Sequence, residues 1–268
     1  MSEPTVQTYE TRSGPTLALR TDYYMTRSLE LYGEYNPEEW RMLRQLIRPG
    51  MTVVEVGANM GTHSVDMARA CAPGAFYAFE PQPRIFQVLC ANLALNDIAN
   101  AFAYPEGCGD AEGVAVVPLM DYSRQGNFGG MSLLPDGSQG IKVRIRPLDA
   151  LELPACGLIK IDVEGFEPQV LRGARQTVAR CRPVLYVEND RAAQQQEVIS
   201  LVAEMGYRLY WHLPALFDAN NFKGEQENVF PGVVSVNMLC LPKERNTVVQ
   251  GLKEIDPANW TCPIQLRS

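Results

Sequence analysis

Histidine is scarce in this sequence: His63 and His212 are the only two. A histidine-rich metal centre is therefore excluded, and a nucleophile–His–acid triad would have to use one of these imidazoles. The seven cysteines (71, 90, 108, 156, 181, 240 and 262) are an odd number with no CxxC pair. Most sit in apolar or helical contexts, such as Cys71 in MARACA and Cys90 in FQVLCANL, so buried free thiols in a reducing cytoplasm are expected. No apolar run approaches a membrane span, and the opening MSEPTVQTYETR has no apolar core, so neither a membrane segment nor a signal peptide is expected. Positive charge has no surplus, with 24 Lys+Arg against 31 Asp+Glu and a net charge of −7. That balance argues against a nucleic-acid partner, because affinity for phosphates needs basic residues. The densest basic stretch, Lys142 to Arg146, alternates with apolar residues and reads as a half-exposed strand. Repeats and low-complexity segments are also missing.

What is present is globular. At 268 residues and 46% apolar content, the chain can bury a sizeable core without covalent staples. Residues 1–35 are polar and read as an irregular N-terminal arm. Residues 36–242 read as the main domain and 243–268 as a C-terminal tail. The domain opens on Asn36-Pro37-Glu38-Glu39, with Asn as the expected cap of a helix that Arg48-Pro49-Gly50 stops. Strands and helices then alternate. Strands are expected over 52–56, 75–79, 101–105, 158–163, 183–188, 207–212 and 233–241, and helices over 62–71, 83–96, 167–180 and 192–205. Residues 106–146 form a Gly- and Asp-rich, hairpin-like excursion. Such alternation predicts an α/β fold, a mostly parallel sheet with helices on both faces. Ligands of such folds bind outside the carboxyl ends of the strands, where the strand order reverses.

Three segments carry chemistry. In Glu55-Val56-Gly57-Ala58-Asn59-Met60-Gly61-Thr62, a strand ends in glycines that open a helix, which lets a nucleotide-like ligand lie close to the backbone. A dinucleotide fingerprint needs glycine at 57, 59 and 62. Asn59 and Thr62 break it, and no P-loop is present. Phe79-Glu80-Pro81 places an acid at the end of the second strand, 23 positions after Gly57, where it can accept both ribose hydroxyls of an adenosine. In Ile159-Lys160-Ile161-Asp162-Val163-Glu164-Gly165-Phe166-Glu167, Asp162 and Glu164 fall on one side of a continuing strand. Paired carboxylates can serve as proton acceptor, metal site or hydroxyl anchor, whereas Glu167 suits a helix N-terminus.

VVEVGANMGTHS, AFEPQPRIFQVLCANLALN and LIKIDVEGFEPQVLRGA, in this order and spacing, resemble the FkbM family of S-adenosylmethionine-dependent methyltransferases. The resemblance runs from about Glu34 to Leu241. It implies the class I methyltransferase (Rossmann-like) fold, a seven-stranded mostly parallel sheet whose last strand is antiparallel. It implies that Glu55, Gly57, Asn59, Gly61 and Thr62 line the methionine and ribose side of S-adenosylmethionine. Glu80, with Pro81 beside it, would take the ribose hydroxyls. Gly107 and Cys108 would lie beside the adenine, where many class I enzymes carry an acid and this chain has only Asp110, two residues on. Asp162 would stand near the transferred methyl.

A sugar or alcohol hydroxyl must lose its proton as the methyl bond forms, so a base is needed. The candidates are Asp162, Glu164, Glu188 and His212, the last because its ordinary pKa suits transfer near neutral pH. Asp162, Glu188 and Asn189 also resemble the magnesium site of catechol-type O-methyltransferases, so a divalent ion is a further expectation. His63 is read as packing or a cofactor contact. Asn127, Phe128 and Asn221, in loops that mix amides with aromatics, are expected to frame the acceptor. The function expected is O-methylation of a hydroxyl on a sugar, glycan or related small metabolite, in the cytoplasm, with no nucleic-acid or membrane partner. The alternatives are N- or carboxyl-methylation, a nicotinamide-dependent oxidoreductase, and a non-catalytic methyltransferase-like binding domain.

Overall fold

The computed structural model describes residues 5–264. β1 (Val6–Thr11) and β2 (Gly14–Leu19) form an antiparallel hairpin, and α1 (Met25–Tyr32) follows. The N-terminal arm is therefore not irregular, as its polarity suggested. Ala18, Leu19, Met25 and Leu29 pack on Met60, Ile85, Val88 and Phe128. The Asn92 side chain accepts from the Leu17 amide at 2.6 Å and donates to the Leu17 carbonyl at 2.8 Å. That side chain pairs backbone groups that an edge strand would otherwise leave open.

α2 (Pro37–Leu46) begins where Asn36-Pro37 predicted, but Asn36 makes no side-chain cap. Its amide is used elsewhere, as described below. β3 (Val53–Val56), α3 (Ser64–Cys71), β4 (Phe76–Phe79), α4 (Pro83–Leu95) and β5 (Ala101–Tyr104) alternate as expected. The excursion is a second, four-stranded sheet: β6 (Gly107–Cys108), β7 (Gly113–Val117), β8 (Leu134–Pro135) and β9 (Ile141–Arg146). After β10 (Leu158–Ile161), the single helix expected over 167–180 is two, α5 (Glu167–Arg172) and α6 (Arg175–Cys181). Asp149 restarts the second by accepting from the Gln176 and Thr177 amides at 2.9 and 2.7 Å. β11 (Val184–Glu188), α7 (Gln195–Glu204), β12 (Tyr207–His212), β13 (Asn237–Pro242) and β14 (Lys253–Ile255) complete the chain.

The main sheet has the order β14-β12-β13-β11-β10-β3-β4-β5. β5, β4, β3, β10 and β11 are parallel, and β13 runs antiparallel to both β11 and β12. These are the seven strands expected for a class I methyltransferase. An eighth, β14, pairs antiparallel with β12. It comes from the segment read as a tail, where Ile255 is buried.

The two faces of the sheet follow the alternation along each strand. Val54, Val56, Ile159, Ile161, Leu185 and Val187 pack against Val170, Leu171, Val178, Val198, Ile199 and Val202 from α5, α6 and α7. Val53, Leu158, Val184 and Tyr186 face Leu43, Val65, Ala68 and Leu89 from α2, α3 and α4. On this second face the next positions along β3 and β10 are Glu55 and Lys160, which are paired in register. The apolar layer thus gives way to charge at the carboxyl ends. Among the described residues, all seven cysteines are free and no helix is long and apolar enough to cross a membrane.

Candidate active site

Strand order reverses between β3 and β10, and a cavity of about 470 Å³ opens at their carboxyl ends. Gly57, at φ +85°, makes the entry possible: a Cβ there would lie 1.7 Å from the Asp162 carbonyl oxygen. Asn59, also at positive φ, turns its amide onto Glu80. The Asn59 N–H donates to Glu80 Oε2 at 2.9 Å and the Gln82 N–H to Oε1 at 2.8 Å. Glu80 is 4% exposed. Burial pushes its carboxyl up to about 7, against the pull of those two amides. Each oxygen keeps a further acceptor site for a diol. Nearby, Gln82 Oε1 is buried without a partner, an acceptor suited to a ligand donor.

Pro81, Gly107 and Cys108 line the next part of the cavity, and Thr62 and Asn127 line it elsewhere. The acid at the Gly107 end is Glu106, which pairs with Arg146 at 3.0 Å. Asp110, the acid noted from the sequence, faces Arg172 at 3.8 Å and lies outside the lining.

Lys160 supports the floor. It is 3% exposed, with Nζ 3.0 Å from Asp162 Oδ2 and 3.6 Å from both Glu39 Oε1 and Glu55 Oε1. Burial alone would lower its pKa, but Asp162, Glu39 and Glu55 outweigh it and raise the pKa well above the ordinary value. Glu55 also accepts from Ser64 Oγ at 2.5 Å, so this cavity-lining acid is tied down on both sides. Sequence reasoning missed Lys160 and Glu39. A lysine inside the buried strand LIKI was the available signal, since such a charge needs partners.

Beyond Asp162, one carboxylate oxygen each from Asp162, Glu164 and Glu188 lie within 4.8 Å of one another. Glu164 is ion-paired with Arg191. Burial, then Asp162, pushes Glu164 up to about 8, while Arg191 opposes. Burial and its acidic neighbours raise Glu188 well above the ordinary range, and its Oε2 has no hydrogen-bond partner. Asn189 does not join this group, contrary to the expected ligand set. It lies one residue past the end of β11 and outside the cavity lining, with Nδ2 donating to the Gln195 carbonyl and the Met238 sulfur, each at 3.5 Å.

Four other expected site residues also stand outside the lining. His212 Nδ1 lies 2.7 Å from the Tyr186 hydroxyl. That hydroxyl accepts from Asn237, whose amide also donates to Glu39 at 3.3 Å. An amide that donates both ways carries no proton from the cavity to His212. Phe128 is core, and its amide donates to Asp22 at 3.2 Å. Asn221 satisfies its own turn through the Asp218 and Glu225 carbonyls. Gly61 lies against Leu89. The arm supplies lining instead, through Asp22, Tyr24, Met25 and Tyr35. Buried Asp22 ties this roof together by accepting from the Met25 amide at 2.7 Å as well as from Phe128.

A buried carboxylate for a diol, an orphaned amide oxygen beside it and a charged far end fit an adenosine bearing an amino-acid tail. Residues 55–209 match the family model described as the methyltransferase FkbM domain. The methyltransferase sdnD of Sordaria araneosa is 31% identical over 115 residues, 42% of this chain and 43% of that one. The match thus spans less than half of that relative's length. Among solved structures, methyltransferase FkbM from Methylobacillus flagellatus KT has a TM-score of 0.48 at 15% identity, covering 75% of this chain and 50% of that one. The O-methyltransferase TomG from Streptomyces achromogenes, solved with S-adenosylmethionine, has a TM-score of 0.46 at 15% identity, covering 77% and 78%. The family model runs from Glu55 into β12, and with more than half of its residues inside that match the chain belongs to the FkbM methyltransferase family.

Proposed function

We propose that this protein transfers a methyl group from S-adenosylmethionine to a hydroxyl of a sugar, glycan or related small metabolite. The observation that carries this reading is the Asp162 carboxylate, ion-paired to buried Lys160 and facing a cavity with Glu164 and Glu188 beside it. Bound S-adenosylmethionine supplies an already activated methyl, so the chain's task is to align and deprotonate the acceptor. Asp162 is the proton acceptor in this reading. Glu188, whose carboxyl burial raises well above the ordinary range, donates a hydrogen bond from its acid form to a second acceptor hydroxyl in this reading. Asp190 adds a further acid to this end of the cavity, which disfavours a phosphate backbone and suits a polyol.

Glu80→Ala is expected to raise the Kd for S-adenosylhomocysteine about 30- to 1000-fold, on the order of 2–4 kcal/mol, through two lost charge-assisted hydrogen bonds. Calorimetry measures this, and unchanged affinity removes Glu80 from the site. The acceptor is tested by transfer of labelled methyl to a panel of sugars and polyols. The expected product is an alkali-stable ether; label appearing only in amines or alkali-labile esters overturns O-methylation. EDTA is expected to leave the rate within about twofold, because Arg191 already pairs with Glu164 and burial raises the Glu188 carboxyl well above the ordinary range. A tenfold loss restored by Mg²⁺ would instead give the three carboxylates a metal.

A further inference from the structure

Where Asn36 and α2 meet the start of α3, three polar atoms at the cavity have no hydrogen-bond partner: Asn36 Oδ1, Glu39 Oε1 and His63 Nε2. Their residues are 1%, 4% and 7% exposed. Buried polar groups are nearly always paired, so three orphans in one place point to an absent ligand. Their other ends are held. Asn36 Nδ2 donates to Glu39 Oε2 at 2.9 Å and to Ser235 Oγ at 3.1 Å, which leaves its carbonyl oxygen as the free acceptor. Glu39 Oε2 also accepts from Asn237, and Oε1, 3.6 Å from Lys160 Nζ and 3.9 Å from His63 Nε2, is the oxygen that keeps an acceptor site.

The charges are unbalanced in the same sense. Glu39, Glu55 and Asp162 surround one ammonium, that of Lys160. His63 offers no second cation, since burial and then Lys160 lower its pKa to about 3. It is a neutral imidazole, and with its proton on Nδ1 it presents Nε2 as an acceptor. Burial pushes Glu39 up to about 7, with Asp162 and Glu55 adding to the effect and Lys160 opposing it.

We propose that Asn36, Glu39 and His63 form a receptor for a primary ammonium group, the α-amino group of the methyl donor's methionine tail. Three acceptors match the three N–H bonds of an ammonium, and the ligand's charge offsets the anionic excess. This inference rests on S-adenosylmethionine being the donor.

Calorimetry with three probes tests it. S-adenosylhomocysteine carries the amine and the carboxylate, decarboxylated S-adenosylmethionine keeps only the amine, and 5′-methylthioadenosine has neither. Glu39→Gln is expected to weaken the two amine-bearing probes about 10- to 100-fold and to leave 5′-methylthioadenosine within about twofold. Equal weakening of all three would show that Glu39 merely props Lys160, and unchanged affinity for the amine-bearing pair would show no contact; either overturns the proposal. Should Glu39→Gln fail to fold, His63→Phe keeps the ring volume, removes the acceptor and carries the same comparison. If the unaltered protein binds none of the probes, the donor reading itself fails and takes this inference with it. Binding of all three probes, with a variant loss blind to the amine, sinks the ammonium receptor alone.

Discussion

Asp162→Asn is expected to lower kcat about 10²- to 10⁴-fold while the Kd for S-adenosylhomocysteine moves less than tenfold. The change is isosteric and leaves the β10 end in place. The Asp162 backbone still donates to the Val56 carbonyl at 3.0 Å, and its own carbonyl still borders Gly57. What is lost is half of the ion pair with Lys160 and, in the proposed mechanism, the proton acceptor for the acceptor hydroxyl. Single-turnover kinetics and calorimetry separate the two roles. An equal loss in turnover and cofactor affinity would assign Asp162 to cofactor binding alone. Methyl transfer at the unaltered rate would end its role as base and pass it to Glu164 or Glu188, its neighbours in the cluster.

Lys160→Met should destabilise the fold by about 3–5 kcal/mol at neutral pH, the usual result of removing one partner from a buried charge cluster. The remaining Glu39 and Glu55 are both buried, and burial already raises both carboxyls. Without the lysine they rise further. Between the unfolded carboxyl value near 4.5 and the raised folded value, the folded state then binds more protons than the unfolded chain, so stability falls as pH rises. The deficit of Lys160→Met should therefore be larger at pH 8 than at pH 5.5 in urea titrations. A second change, Glu39→Gln, should recover part of it. A deficit below about 1 kcal/mol, flat with pH, would mean that water rather than Lys160 balances these acids.

Several parts of the site were legible from residues alone because their causes are local. A glycine at positive φ, an acid ending a strand and alternating apolar positions all act within a few residues. Hence Gly57, Glu80 and Asp162 are found at the carboxyl ends of β3, β4 and β10, around the cavity that the strand alternation implied. His212 shows the opposite case. It closes the strand that follows β11 in the chain, yet β13 inserts between β11 and β12. The backbones of β12 and β11 are then two strand spacings apart, about 10 Å, and His212 meets the Tyr186 hydroxyl that reaches across from β11. Asn189, one residue past β11, lies outside the cavity lining because the chain has by then left the strand end that carries Glu188 into it.

The sequence by itself determined the family, the strand–helix alternation and the acids at the strand ends, since each is written within a single segment. Only the tertiary structure decided how charge is shared beneath them. Glu39, Glu55, His63 and Lys160 come from α2, β3, the start of α3 and β10. They become one cluster only when α2 and α3 pack on the face that carries Glu55 and Lys160 in register. The roof was decided in the same way. Its polar hairpin looked irregular until Asn92 paired its open backbone and the core took in Ala18, Leu19 and Leu29. Buried charge and edge-strand pairing are satisfied by residues distant in sequence, so no local pattern announces them.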